Sequence, residues 1–361
     1  MTPAIRVIGA GAVSARGKSL AEARNRPADD CAFAGPAGAR AAYPAPFDPR
    51  RDLPGIAEAR RLGRQTAMAL AAALDATAAS APLPEETALV LGTAHGAVAE
   101  TVAFLDSARG ESARYASPTA FSGSLHASMA APIGRALGMR GPMLVVCDGN
   151  RSFETALMTA IQMLRAEEAP LVLVGACDAY HPMTRDTLAE FGAISTSSQA
   201  IDHRMLRTER GVHLGEGAGF LLLACEMPES TGTTELMDAS GVRVAQIGGD
   251  MAPPSDFAPV QRILALADGT TRSARLHAAA IRARDGVRID ATQIEYPAAL
   301  FGAFGSLSAV VCADEAHRRL HGGGDGGGDG DAATLVLGVA AANVTSTVFS
   351  GHGTPAAGTI E

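Results

Sequence analysis

Gly141-Pro142-Met143-Leu144-Val145-Val146-Cys147-Asp148-Gly149-Asn150-Arg151-Ser152-Phe153-Glu154-Thr155-Ala156-Leu157 is the stretch that decides the fold. An apolar run, Met143–Cys147, reads as a buried strand. It meets an Asp-Gly turn and passes directly into a helix over Ser152–Arg165. Such a turn presents one side chain at a helix N-terminus, where backbone N–H groups and the helix dipole stabilise a thiolate or an oxyanion. The residue at this corner is Asn150. Neither oxygen nor nitrogen of a neutral carboxamide is a useful nucleophile, so the turn has the form of a nucleophile corner without its attacking atom.

Outward from the corner, apolar strand-like runs alternate with Ala-rich helical ones, which argues for sheets covered by helices. Strands are expected at Ile5–Ile8, Ala88–Gly92, Leu171–Val174, Gly219–Leu223, Val242–Ile247, Thr334–Val339 and Val344–Phe349. Helices are expected over Ile56–Ala76, Ala97–Ala108, Ser124–Leu137 and Leu307–Arg319, and near Pro259–Ala267 and Ala274–Arg284. Runs as uniformly apolar as Leu171–Val174 belong to strands covered on both faces. Pro27–Arg51 and the Gly/Asp-rich segment 321–331 read as loops. The latter is a single copy without an apolar residue, so it lacks the stacked repeats that a calcium β-roll requires.

Composition narrows the functional classes. Of 361 residues, 47% are hydrophobic and 19% charged, enough to bury a large core. Trp is absent, aromatics are 4% and Gly numbers 40, which favours close packing of elements. The net charge of −8 disfavours nucleic acid as a partner. The N-terminus has a short strand pattern and not the apolar core of a signal peptide, and no run has the length of a membrane span. Five dispersed cysteines (Cys31, Cys147, Cys177, Cys225, Cys312) read as buried thiols in a reducing cytoplasm, with no paired spacing for zinc. No metal and no cofactor are expected.

Six motifs in order resemble the β-ketoacyl synthases of the thiolase fold. They are Ile5–Val13 (opening strand and turn), Leu89-Val-Leu-Gly-Thr-Ala-His-Gly96, Ser117-Pro-Thr-Ala-Phe-Ser122 with Ser124-Leu-His126, Leu171–Asp178, Leu214-Gly-Glu-Gly-Ala-Gly219, and Val348-Phe-Ser-Gly-His-Gly353. The Gly-Glu-Gly-Ala turn is the most specific of them. The resemblance implies an α/β thiolase-like fold of two pseudo-duplicated halves in α/β/α/β/α layers. It implies an N-terminal half at 1–225, holding the corner at 148–152, and a C-terminal half at 226–361. No duplication is legible in the residues themselves.

In that family a cysteine stands where Asn150 stands, and two histidines promote decarboxylation and stabilise the enolate. The resemblance puts Asp268, in Ala267–Thr271, at the first histidine, where a carboxylate would repel the malonyl group. It puts Gly302, in Pro297–Gly305, at the second. With all three positions degenerate, no catalytic residue is expected, and the chain resembles the chain-length factors of aryl polyene and type II polyketide systems. Such a pseudoenzyme pairs with a catalytic ketosynthase as a heterodimer, receives acyl carrier protein through the complex, and sets the depth of an acyl tunnel at the interface. Thr101, Phe104, Leu105 and Phe121 are the tunnel candidates, with ordinary core positions as the competing reading. Two further roles stand beside this one: a decarboxylative priming subunit, and a scaffold that docks carrier protein through a basic patch at Arg60, Arg61 and Arg64.

Other candidates carry plainer readings. Cys147 is a small buried hydrophobe, since moving it to the corner would spoil the strand–helix spacing. His126 is expected to be structural on a helix, His213 to border a cavity, and His352 to stabilise the closing glycine loop. Asp314-Glu315 and Glu167-Glu168 read as solvated helix ends.

Overall fold

A computed structural model describes residues 4–26, 42–56, 59–80, 82–109, 113–195, 211–225, 242–248, 260–266, 304–321, 333–340 and 343–350, with a few isolated positions between 276 and 297. The strands are β1 Ile5–Ser14, β2 Ala42–Tyr43, β3 Ala88–Gly92, β4 Met143–Val146, β5 Leu171–Asp178, β6 Leu214–Gly215, β7 Gly217–Cys225, β8 Val242–Gly248, β9 Val260–Ala265, β10 Ile294–Glu295, β11 Ala333–Ala340 and β12 Asn343–Ser350. The helices are α1 Leu20–Asn25, α2 Pro49–Asp52, α3 Arg64–Thr77, α4 Val98–Arg109, α5 Pro118–Ser124, α6 Ala130–Leu137, α7 Ser152–Arg165, α8 Pro182–Glu190 and α9 Leu307–His321.

Ten of the strands join in the order β10-β9-β11-β12-β8-β1-β7-β5-β3-β4. β1 pairs antiparallel with β7 and β7 antiparallel with β5, whereas β5 to β3 and β3 to β4 are parallel. The remaining strands repeat that pattern. β8 to β12 and β12 to β11 are antiparallel, and β11 to β9 and β9 to β10 are parallel. The two sets meet through β1 and β8, with Val7 opposite Val242. The duplication invisible in the residues is therefore plain in the pairing.

Alternation along each strand feeds two cores. Leu171, Leu173 and Cys177 of β5, with Phe220 and Leu222 of β7, face α3 and α6. Val172, Val174 and Ala176, with Leu221 and Leu223, face the opposite way onto α7 and α9. Phe153 and Leu157 of α7 and Val310 and Val311 of α9 join the same cluster, as do Leu264, Val336 and Phe349 from the second set of strands. α7 and α9 thus form a central layer with strands on both sides. Strands covered twice need apolar side chains at every position, the composition that marked them in the sequence. At Gly219 strand and helix come close: a β-carbon there would lie 2.3 Å from the backbone carbon of Ala309 in α9.

Several expectations need correction. Val260–Ala265 is a strand, not a helix, because parallel neighbours on both sides claim its backbone groups. Ile56–Ala76 divides into a short 3₁₀ turn at Ala59–Arg61 and α3, and Ser124–Leu137 into a 3₁₀ turn at His126–Met129 and α6. β4 is an edge strand that is not fully buried; Leu144 is 43% exposed. Cys147 is exposed, while Cys177 and Cys312 are buried. Glu315 is buried, not solvated, because Arg262, Arg318 and Arg319 converge on its carboxylate. Segment 322–331 and Cys31 lie outside the described residues. Among the described residues no helix is long and apolar enough to cross a membrane.

The seat of α9 on β7 is testable. Gly219→Val is expected to destabilise the fold by on the order of 3 kcal/mol, through overpacking against backbone that has no side chain to move aside. Urea denaturation should report a lowered midpoint with an unchanged slope. An unaltered midpoint would mean that the helix does not rest there.

Candidate functional site

The corner is built by the residues around Asn150, not by Asn150. Gly149 adopts φ +55°, a left-handed conformation that suits glycine in a turn this tight. Asp148 N–H donates to Ser152 Oγ at 2.8 Å, and the buried Ser152 hydroxyl lies 2.8 Å from the Thr93 carbonyl at the end of β3. Asp148 Oδ2 accepts from Thr155 Oγ1 (2.8 Å) and Arg151 Nη2 (3.2 Å), tying the turn to the first turns of α7. Asn150 is left exposed at the mouth of a cavity. Cys147 stays three residues upstream, its Sγ 3.6 Å from the Ala94 carbonyl.

Two buried carboxylates brace the surrounding loops. Asp178, at the end of β5, accepts from Thr93 Oγ1 (2.9 Å), Ala94 N–H (3.0 Å) and the Ser306 hydroxyl. Gln65 Nε2 reaches both Thr93 Oγ1 (3.0 Å) and the Cys177 carbonyl (2.8 Å). Burial pushes the Asp178 carboxyl above the usual carboxylate range, opposed by these hydrogen bonds. Glu216, in the Gly-Glu-Gly turn, pairs with the Arg64 guanidinium and accepts from Ala45 N–H (2.9 Å) and Tyr180 N–H (3.1 Å). Arg64 also donates to the Phe47 (2.8 Å) and Ala45 (2.9 Å) carbonyls, and the Glu216 hydrogen bonds raise its pKa further.

Between these braces lies a cavity of about 490 Å³, in the usual range of small-molecule sites. Its polar lining includes His95, Asn150, Tyr180 and His181, and its apolar lining includes Val98, Leu188, Leu266, Phe304 and Leu307. Glu154, in the first turn of α7, is buried and also lines it. Burial raises the Glu154 carboxyl from the ordinary 4.5 to about 7, partly offset by its own backbone and the Ser308 hydroxyl. Among the described residues, no cluster of His, Cys, Asp and Glu is placed to hold a metal ion.

The predicted residues fall in different places. Asn150 is at the cavity; Asp268, Gly302 and His352 lie outside the described residues. Thr101, Phe104 and Leu105 on α4 and Phe121 on α5 line an outward surface. α4 buries none of its residues, so the core reading of these side chains is wrong. Phe104 and Phe121 stack at 5.3 Å between ring centroids, and Phe121 is 50% exposed. The basic patch is reduced to the exposed Arg60 and Arg61, because Arg64 is committed to Glu216. His126 packs over Gly96 instead of within a helix, and His213 is buried between Val212 and Leu214, which do line the cavity. The sequence reading missed His95, Tyr180, His181 and Glu154. Glu154 left a signal: with Leu157, Ile161 and Leu164 it stands on the buried stripe of α7.

Comparison with known proteins adds the lineage. The family model for the β-ketoacyl synthase N-terminal domain matches residues 11–227. Nodulation protein E of Rhizobium leguminosarum bv. trifolii is 29% identical over 124 residues, which are 34% of this chain and 30% of that protein. A putative polyketide β-ketoacyl synthase 1 of Streptomyces virginiae is 28% identical over 191 residues, 51% of this chain and 41% of that protein. The matches therefore span less than half the length of these curated relatives. Among solved structures, the ishigamide ketosynthase/chain length factor superposes with a TM-score of 0.72 at 19% identity, covering 97% of this chain and 100% of that one.

Glu154 gives the site a pH signature. Its folded pKa of about 7 exceeds the ordinary 4.5, so the folded state holds the proton more tightly than the unfolded chain. Its contribution to stability is complete below the ordinary value and is lost as pH rises through about 7. Denaturation of wild type and Glu154→Gln across this window should show wild type losing stability relative to the variant. A difference that does not change with pH would place an ordinary carboxyl there.

Proposed function

The chain belongs to the β-ketoacyl synthase family, and on that premise we propose that it is a non-catalytic ketosynthase-like chain-length factor. It pairs with a catalytic ketosynthase, receives acyl carrier protein through that complex, and shapes an acyl tunnel in polyketide, polyene or fatty-acid-type biosynthesis. The observation that carries this reading is the corner itself: a strand–turn–helix bracing of nucleophile geometry, with the carboxamide of Asn150 at its tip. Asp268 and Gly302, at the positions of the two family histidines, belong to the same reading. So does the division at residues 225 and 226, as does a cytoplasmic setting suited to dispersed thiols.

Pairing is supported by what one chain leaves uncovered. β4 is a sheet edge, whose unpaired backbone groups are a template for another strand. Leu144 on that strand and Met158 on α7 are large, apolar and exposed, as are Leu105, Tyr115, Phe121 and Leu125 in the stretch from α4 to the turn after α5. An interface through Met143–Arg165 would cover this edge and bring α4 and α5 to the partner. Tunnel depth would then be steric, each denied methylene forfeiting roughly 0.8 kcal/mol of burial.

Co-expression with a catalytic ketosynthase from the same genome should yield a one-to-one complex on size exclusion. The isolated chain, incubated with acyl- and malonyl-carrier protein, should carry no acyl adduct by mass spectrometry. Asn150→Cys alone should not restore condensation. A monomer that ignores the ketosynthase, or an acylated cysteine, would overturn the proposal. Within the complex, Phe104→Ala or Phe121→Ala should lengthen the released chains at a comparable condensation rate, and Thr101→Phe should shorten them. Unchanged product length with a weakened complex would remove these residues from the tunnel.

A further inference from the structure

The C-terminal end of α9 carries a histidine pair, His317 and His321, at the spacing that sets two side chains on one helix face. Their rings lie 4.2 Å apart between centroids and are inclined at 30°. His317 is half-buried and His321 exposed, so the pair opens to solvent. His321 Nδ1 lies 3.2 Å from the His317 carbonyl oxygen. A carbonyl oxygen only accepts, so Nδ1 carries the hydrogen and, in the neutral ring, Nε2 presents a bare lone pair. Such a bond from the second ring nitrogen is what orients imidazoles in metal sites. The function proposed above uses neither ring.

We propose that His317 and His321 form an exchangeable two-histidine site for a late first-row divalent cation such as zinc, with water completing the coordination. Imidazole suits zinc, copper and nickel, whereas magnesium takes oxygen ligands. Tetrahedral zinc, about 2.0–2.1 Å from each ligand nitrogen, needs the two nitrogens about 3.3 Å apart. Rings already 4.2 Å apart reach that span by turning His317 about its soft χ2 torsion.

The surroundings tolerate a dication. The pair ends α9, where the negative end of the helix dipole favours positive charge. Nearby cations are offset: Arg24 lies 3.8 Å from Asp314, and Arg318 and Arg319 are paired with Glu315. Burial, then the proximity of His321 and Arg24, brings the His317 imidazole from the ordinary 6.5 down to about 4. At neutral pH that ring is uncharged, the form that ligates metal. Two side chains fall short of the three or four that hold catalytic or structural zinc, so the site fills and empties with the free metal. A bridge from one ring to the other would clamp the final turn of α9.

The test is calorimetric titration of the full chain with zinc chloride at about pH 7.5 in a non-chelating buffer. Wild type should show a saturable site of one zinc per chain. His317→Gln and His321→Gln should each weaken that site at least about tenfold. His321 is exposed, so its replacement leaves the fold intact, which circular dichroism checks. Magnesium chloride should show no such site. Hydrogen exchange read by mass spectrometry should slow at 316–321 on adding zinc to wild type, and not in His321→Gln. Absence of a saturable zinc site would overturn the inference. So would undiminished zinc affinity in both variants, which would place the metal elsewhere, or equal binding of magnesium, which would make the attraction one of charge alone.

Discussion

Everything around the cavity hangs on one buried carboxylate. Glu216 is 1% exposed and sits where three separate segments meet: the chain at Ala45–Phe47, the start of α3 at Arg64, and the loop after β5 at Tyr180. A charge so placed is tolerable only with a charged partner and further donors, and here the bidentate guanidinium and two backbone N–H groups supply both. Arg64 passes the constraint on by holding the carbonyls of Ala45 and Phe47. The next residue, Gln65, continues the chain of hydrogen bonds to Thr93 and thus to Asp178. The wall of the cavity is thereby fixed to the end of the sheet. Losing either member of the ion pair would leave the other unmatched, so the Gly-Glu-Gly-Ala turn is specific for a physical reason.

How much was legible in the sequence follows from how local each cause is. α7 matched its expected bounds because its apolar stripe and the turn before it are local. β5 and β7 were legible because double coverage writes itself as an unbroken apolar run. β9 was misread since Gln261, Leu264 and Ala265 suit a helix, and only its parallel neighbours make it a strand. Glu315 was misread because its position next to Asp314 resembled a helix end, whereas its arginines come partly from β9. In the site, Asn150 was legible from its turn. Asp178 was not, as its partners Thr93 and Ser306 lie 85 and 128 residues away.

The helices differ in what sustains them. α3, α7 and α9 are held by cores on at least one side, with Ala67, Ala72 and Ala73 letting α3 lie close to its sheet. α4 has no buried residue and little beyond the contact with α5 to order it. Twelve residues of helix are marginal in water without tertiary burial. Its tilted aromatic pair and exposed leucine form the type of surface that gains most from being covered.

The bracing of the corner has an evolutionary corollary. Asp148, Gly149, Ser152, Thr155 and the Thr93 carbonyl hold the turn, and the side chain of residue 150 takes no part in that scaffold. A substitution at this one position therefore leaves folding almost untouched. Selection for a folded chain and selection for a reactive side chain act on different residues, and either can relax without the other. A duplicated gene can exchange its nucleophile and still deliver an intact architecture, ready for recruitment to another role.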